Sequence, residues 1–371
     1  RVAIGWLAWE LTNSEVWLGL IALSEFLPTV FFGPFFGVWA ARLNRKTVAY
    51  IATLSSISLS TLLFVLIAMD LMDIYLLWII TAFVGIVGSA FQPVRMSLIP
   101  SLVPRELLSE AVAAQSIVFN ISRFVGPALA GVAIATMGLA SAFAVNAISY
   151  LAMIAALLLI ELRTTRSGGV QSHFFTELRD GITYTFQHRK IRQQLLIVAL
   201  SALFGRAAIV MLPAFAGGVF GGGSNALATL TSVSGAGAIG AGIYLTRLGA
   251  GARLLRSTVV ATLLSGLLMA GLGLTDSYVV AIVVVAVLSF VLTLVGIGSQ
   301  SLIQTQVDEA MRGRVLSLWA AVAFSAPAIG SVIIGVIADW IGIGPVTFLS
   351  GLVCSALALL LAMRVFSAPP A

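Results

Sequence analysis

Charge is the scarcest property of this sequence. Asp, Glu, Lys and Arg make up 9% of its 371 residues, against about 25% in a soluble domain. Water cannot be the main solvent of a chain that is 60% hydrophobic with a mean hydropathy of +1.10. Lysine is rarer still. Lys46 and Lys190 are the two present, and neither follows a G-x-x-x-x-G run, which excludes a phosphate-cradling ATPase loop within the chain. The two histidines, His173 and His188, lie in a polar stretch, and no acids cluster within the apolar runs. Metal-ligand and triad spacings are therefore missing, so no cofactor, no metal and no enzymatic role are expected. The single cysteine, Cys354, cannot form a disulfide within one chain and reads as a packing residue.

What is present is a series of long apolar runs. A spanning helix needs about 20 such residues. The runs cover 16–40, 47–69, 74–98, 111–135, 140–162, 193–217, 225–246, 257–275, 278–302, 315–337 and 345–365, with a partial run at 1–13. They are continuous rather than alternating, which excludes a barrel and makes the fold all-α. The net charge of +6 follows topology. If the first connection faces outward, the inward side carries Arg42, Arg45, Lys46, Arg105, Arg163, Arg166, Arg179, Arg189, Lys190, Arg192, Arg247, Arg253, Arg256, Arg312, Arg314 and Arg364. The outward connections carry acids alone, such as Glu15, Asp70, Asp73 and Asp276. This is the positive-inside pattern. It makes the basic excess a report of orientation, with the bilayer as partner and no nucleic acid.

The chain also repeats itself at about half its length. At an offset of 204, Gly126, Gly131 and Gly138 fall on Gly330, Gly335 and Gly342, and Leu98, Ile99 and Val103 fall on Leu302, Ile303 and Val307. At an offset of 205, Gly37, Arg42 and Leu43 fall on Gly242, Arg247 and Leu248. Two six-helix halves in a parallel repeat place a binding site between them, near the bilayer midplane. The halves are expected at 1–162 and 193–371. About a dozen residues of the first span are expected to precede Arg1, because its counterpart begins near 193. Residues 163–192 form the one sizeable polar stretch. There Phe174, Leu178, Ile182 and Phe186 recur every four residues, predicting an amphipathic helix on the inner membrane surface.

The stretch from Gly37 through Ala41, Arg42, Arg45 and Lys46 resembles the major facilitator signature G-x-x-x-D-R-x-x-R-R/K between the second and third helices. Ala41 stands where the family has Asp, which bears on the inner gate that this carboxylate helps to lock in the family. Ser122 to Gly131, with Gly126, Pro127 and Gly131, resembles the exporter-associated G-P-x-x-G-G element, Ala130 replacing one glycine. WLAWELTNS at 6–14, FQPVRMSLIPSLVP at 91–104 and RGRVLS at 312–317 are similar to the branch that holds siderophore exporters and macrolide-efflux proteins. The resemblance implies a twelve-helix major facilitator fold with its first helix partial. It also implies a secondary active transporter working by alternating access, a monomer in a bacterial inner membrane with the linker and C-terminus cytoplasmic. Proton-coupled efflux of a small organic molecule, drug-like or siderophore-like, is the expected activity. Lipid flipping, or a nontransporting receptor or channel on the same fold, are the alternatives.

Ionisable groups inside a span cost roughly 2.5–3.5 kcal/mol on insertion scales and become functional candidates by default. Arg1, Glu25, Arg123 and Arg206 are the four that stand out. Arg1 and Arg206 are repeat counterparts on the first helix of each half, where they can attract an anionic substrate or instead hydrogen-bond helix carbonyls and orient packing. Glu25 is the carboxylate candidate for coupling to a proton gradient, or for a fixed pair with Arg123. Asn120, three residues before Arg123 on the same helix face, and Gln300 are the amides to test first. Trp6 and Trp9 are expected in belt or packing positions rather than stacking in a cavity.

Overall fold

The computed structural model describes residues 1–42, 45–104, 107–159, 174–248, 252–309 and 311–366, and within them the chain is helical with no strand. The first group comprises α1 (Val2–Thr12), α2 (Glu15–Arg42), α3 (Arg45–Ala68), α4 (Ile74–Leu102), α5 (Leu108–Met137) and α6 (Leu139–Leu159). A short helix, α7 (Phe174–Gln187), precedes the second group. That group opens with a broken span, Arg189–Val219, containing α8 (Arg189–Leu200), α9 (Ala207–Val210) and α10 (Leu212–Ala214). It continues through α11 (Gly223–Leu248), α12 (Ala252–Leu274), α13 (Tyr278–Gln306), α14 (Arg312–Ile341) and α15 (Ile343–Phe366). Among the described residues nine helical spans are long and apolar enough to cross a membrane. Leu159, Trp340 and Val279 are 84%, 86% and 70% exposed, a surface suited to hydrocarbon rather than water.

The repeat is visible in where helices stop. α4 and α13 are each 29 residues long and end into extended Val103 and Val307. α5 and α14 are each 30 residues long and end into Gly138 and Gly342, at φ 83° and 86°. Only glycine adopts that backbone without strain. Its N–H closes each helix on Ile134 and Ala338. The acidic end of α4 is capped by Asp73, whose carboxylate accepts from the Leu76 N–H at 2.8 Å.

The apolar run 193–217 predicts one continuous helix, whereas the structure interrupts it. Ser201–Arg206 and Phe215–Val219 are π-helical, and Met211 leaves helical geometry at ψ 2°. Pro213 has no N–H to donate and crowds the carbonyl four residues back. Irregular backbone is tolerated at membrane depth where protein covers it. Here Ala202, Ala207, Ala208, Met211, Ala214, Phe215 and Ala216 are all fully buried.

The cores explain how the two groups meet. At the end bearing Glu15, Asp73 and Asp339, one buried cluster draws on both groups. Leu18, Ile80 and Ile134 pack with Leu227, Leu230 and Ile334 there. Near the basic end the described clusters are separate. Val48, Ala49, Val94 and Leu157 belong to the first group, and Ile191, Leu195, Ile303, Val315 and Trp319 to the second.

Candidate functional site

The repeat glycines sit where the groups touch. A Cβ on Gly131 of α5 would lie 2.8 Å from Ala228 Cα on α11. A Cβ on Gly335, its counterpart on α14, would lie 2.8 Å from the Glu15 carbonyl carbon and 3.1 Å from Val16 Cα on α2. Small residues that let backbones approach this closely are the membrane substitute for a hydrophobic driving force. At Gly126 a Cβ would meet nothing within 4 Å among the described residues. Trp9 is buried, its indole packed on the backbone of Gly217, and Trp6 is buried in the same cluster. Both are packing residues.

The charged candidates lie inside this frame. Arg1 Nε donates to Glu25 Oε1, and the Arg1 guanidinium carbon stands 4.7 Å from the centroid of the Phe26 ring. The Glu25 side chain is 11% exposed and that of Arg1 68%. Glu25 is placed by the tight crossing of α2 and α4, where a Cβ on Gly85 would come within 3.0 Å of the Glu25 carbonyl carbon. The pair joins α1 to α2, with the ring face of Phe26 adding a cation–π contact. Arg206 closes the first π-helical segment, half-buried, with Nη2 against Gly296 of α13, 3.0 Å from where a Cβ would be. A guanidinium keeps its charge at any working pH, so each arginine holds a fixed positive charge.

The remaining candidates fall elsewhere. Gln300 is half-buried on α13. Asn120, Arg123 and Pro127 belong to α5, Gly37 and Arg42 to α2, and Arg45 begins α3. Beyond that placement, their side chains lie outside the described residues, as do residues 43–44. Lys46 is half-buried at the start of α3. Asn146 donates to Ser60 at 2.8 Å, an amide bridging α6 to α3. Two hollows of about 340 and 440 Å³ lie between α11, α12 and α13 and between α3 and α4. Apolar side chains such as Leu245, Ile297, Leu54 and Phe83 line them, and neither contains the charged candidates.

Sequence reading missed one juxtaposition. Glu15, at the first position of α2, faces the Asp339 carboxylate of α14 across the joined end. Asp339 follows Gly335 by one helical turn, so both lie on the face that α2 approaches. Burial first, then the Asp339 carboxylate, raise the Glu15 pKa above its ordinary 4.5, against a backbone hydrogen bond that lowers it. Glu15 lies just before the apolar run that begins at 16.

A broken first helix in the second group, repeat glycines at the group boundary and arginines on the first helix of each group are features of a transporter of the major facilitator type. A bacterial homolog of the human lysosomal transporter Spinster superposes with a TM-score of 0.73 at 13% identity, covering 100% of this chain and 95% of that one. The family described as transmembrane secretion effector matches residues 1–369, and the chain belongs to it. Among its relatives, the uncharacterized MFS-type transporter YfiS of Bacillus subtilis is 26% identical over 96% of this chain and 85% of its own length. The staphyloferrin A transporter of Staphylococcus aureus is 23% identical, covering 92% and 86%. Macrolide efflux protein A of Streptococcus pyogenes is 25% identical, covering 96% and 90%.

Proposed function

We propose that this protein exports a small organic molecule across a bacterial inner membrane by alternating access, driven by protons. The observation that carries the reading is the core arrangement. Among the described residues the two groups share one buried core at the acidic end and keep separate cores at the basic end. With the basic end cytoplasmic, that is a carrier closed to the outside and open to the inside. Substrate enters between the groups and meets Arg1, Glu25 and Arg206. Protonating Glu25 discharges the carboxylate that holds Arg1, freeing a cation for an anionic group on the substrate. The Glu25 carboxylate and the substrate's anionic group then compete for one arginine, which couples protonation of Glu25 to substrate binding. The siderophore and macrolide handled by two relatives give the first compounds to try.

The test is uptake into proteoliposomes of the full-length protein, with a polycarboxylate siderophore and a macrolide as probes. Uptake should follow an imposed pH gradient and collapse with a protonophore. Glu25→Gln should retain binding and lose the gradient dependence, and Arg206→Gln should weaken the anionic probe more than the neutral one. Gradient-driven uptake that survives Glu25→Gln unchanged refutes the role given to that carboxylate. Equal losses for both probes refute the role given to Arg206.

A further inference from the structure

We propose that α7 is a docking surface for anionic phospholipid headgroups of the leaflet at the basic end. The helix divides its circumference three ways. One face is bolted to the second group. Tyr184 OH donates to Asp308 Oδ2 at 2.8 Å, Arg314 Nη1 donates to Asp180 Oδ2 at 3.3 Å, and a Cβ on Gly181 would lie 3.2 Å from Arg314 Cβ. Thr185, next to Tyr184, is buried with that face. The adjoining edge is apolar and uncovered, with Ile182 37% and Phe186 62% exposed. These two are one turn apart, and Arg179, three residues before Ile182, shares their edge. The third face carries Thr183 and Gln187, both exposed.

Such a division belongs to a helix lying in a membrane interface, with its apolar edge down and cations at headgroup level. The surroundings supply the complementary charge. Arg189, Lys190, Arg192 and Arg364 are all exposed. Two of them also hold helix ends together. Arg192 Nη1 donates to the Phe186 carbonyl at 2.9 Å, and Arg189 Nη2 to the Arg364 carbonyl at 2.7 Å. A guanidinium has five N–H donors, so each can serve a phosphate as well. Arg179 and Lys190 make no hydrogen bond among the described residues. The occupant that fits an apolar edge beside this many cations is an anionic leaflet.

The experiment uses the full-length chain with Cys354→Ser and Phe186→Cys, labelled with an environment-sensitive nitrobenzoxadiazole. It is reconstituted in phosphatidylcholine vesicles with or without 30% phosphatidylglycerol. The label should be blue-shifted and quenched by shallow doxyl lipid in the anionic vesicles, and less so in pure phosphatidylcholine or in 0.5 M KCl. Each cation near the surface contributes about fivefold to local binding. Arg179→Gln with Lys190→Gln should therefore cut the anionic-lipid dependence by about 25-fold while the label's site stays folded. A label at Trp340→Cys, at the opposite end of the protein, should not respond to the lipid. A Phe186 label that remains water-exposed in the anionic vesicles, or is quenched equally in both lipids, overturns the proposal. So does a double variant that keeps the full dependence. Transport is not read, so the outcome is independent of the exporter reading.

Discussion

Substituting Gly335 by alanine tests the link between the repeat glycines and the conformational cycle. The added methyl would lie 2.8 Å from the Glu15 carbonyl carbon and 3.1 Å from Val16 Cα, and closer still to the carbonyl oxygen. Ordinary contact begins near 3.4 Å, and all three atoms are backbone, so no rotamer change relieves the clash. α2 must retreat from α14 by several tenths of an ångström at the joined end. Overpacking of this kind costs about 1–3 kcal/mol. A value near 2 kcal/mol, at 1.4 kcal/mol per tenfold, shifts the ratio of joined to separated acidic ends by roughly thirtyfold. Spin labels at Met69→Cys and Trp340→Cys, on a Cys354→Ser background, report that end from the two groups. Both positions are well exposed, at 62% and 86%. The separated, longer-distance population should grow in Gly335→Ala. Gly126→Ala adds the same methyl where nothing among the described residues lies within 4 Å and should leave the distances unchanged. Identical distributions in Gly335→Ala and the parent, or an equal shift in both variants, would refute the argument.

The same label pair reads a pH effect. Glu15 is raised above 4.5 while the ends are joined, chiefly by burial and then by Asp339. Its contribution to the joined state is therefore full below 4.5 and is lost as pH rises through the raised value. Glu10, Asp70, Asp73 and Tyr75 are the other titratable groups on the acidic ends of α1, α3 and α4. Acidification should favour the joined end, and Glu15→Gln should flatten the response while Asp339→Asn reduces it. An unchanged profile in Glu15→Gln counts against the assignment. Trp9→Ala removes a 6%-exposed indole from the shared core and should cost about 3–5 kcal/mol, seen as a large drop in Tm. Trp78→Ala, 41% exposed, should fall within about 0.5 kcal/mol. Equal drops would mean that Trp9 does not anchor the joined end. Asp180→Asn breaks an ion pair whose side chains are 33% and 46% exposed. It should cost less than about 1 kcal/mol and leave Tm nearly unchanged, whereas a loss of several degrees would make the pair a principal anchor of α7.

What could be read from the residues follows the range of the forces involved. Solvent preference is a local sum, so runs such as 278–302 announce a helix that the structure draws at Tyr278–Gln306. Glycines leave a positional mark, and the offset of 204 that pairs Gly131 with Gly335 also pairs the two contact points between the groups. The break in the span from Arg189 had a signal that hydropathy overrode. Pro213 and the Gly217–Gly218 pair are poor continuations of a helix, yet they contribute little to an apolar average. Side-chain partners were the illegible part, because they depend on how each helix is rotated about its axis. Glu25 meets Arg1 on the neighbouring helix, a choice that spacing along the chain does not encode. Glu15 and Asp339 were harder still. Each sits at a helix end that reads as a solvated loop, and 324 residues separate them. The clue was indirect. Gly335, already marked by the repeat as a close-approach point, carries Asp339 one turn later, so whatever helix it admits must meet that carboxylate. A glycine matched across an internal repeat thus predicts which polar residues a second helix will face, even where the residues themselves look unremarkable.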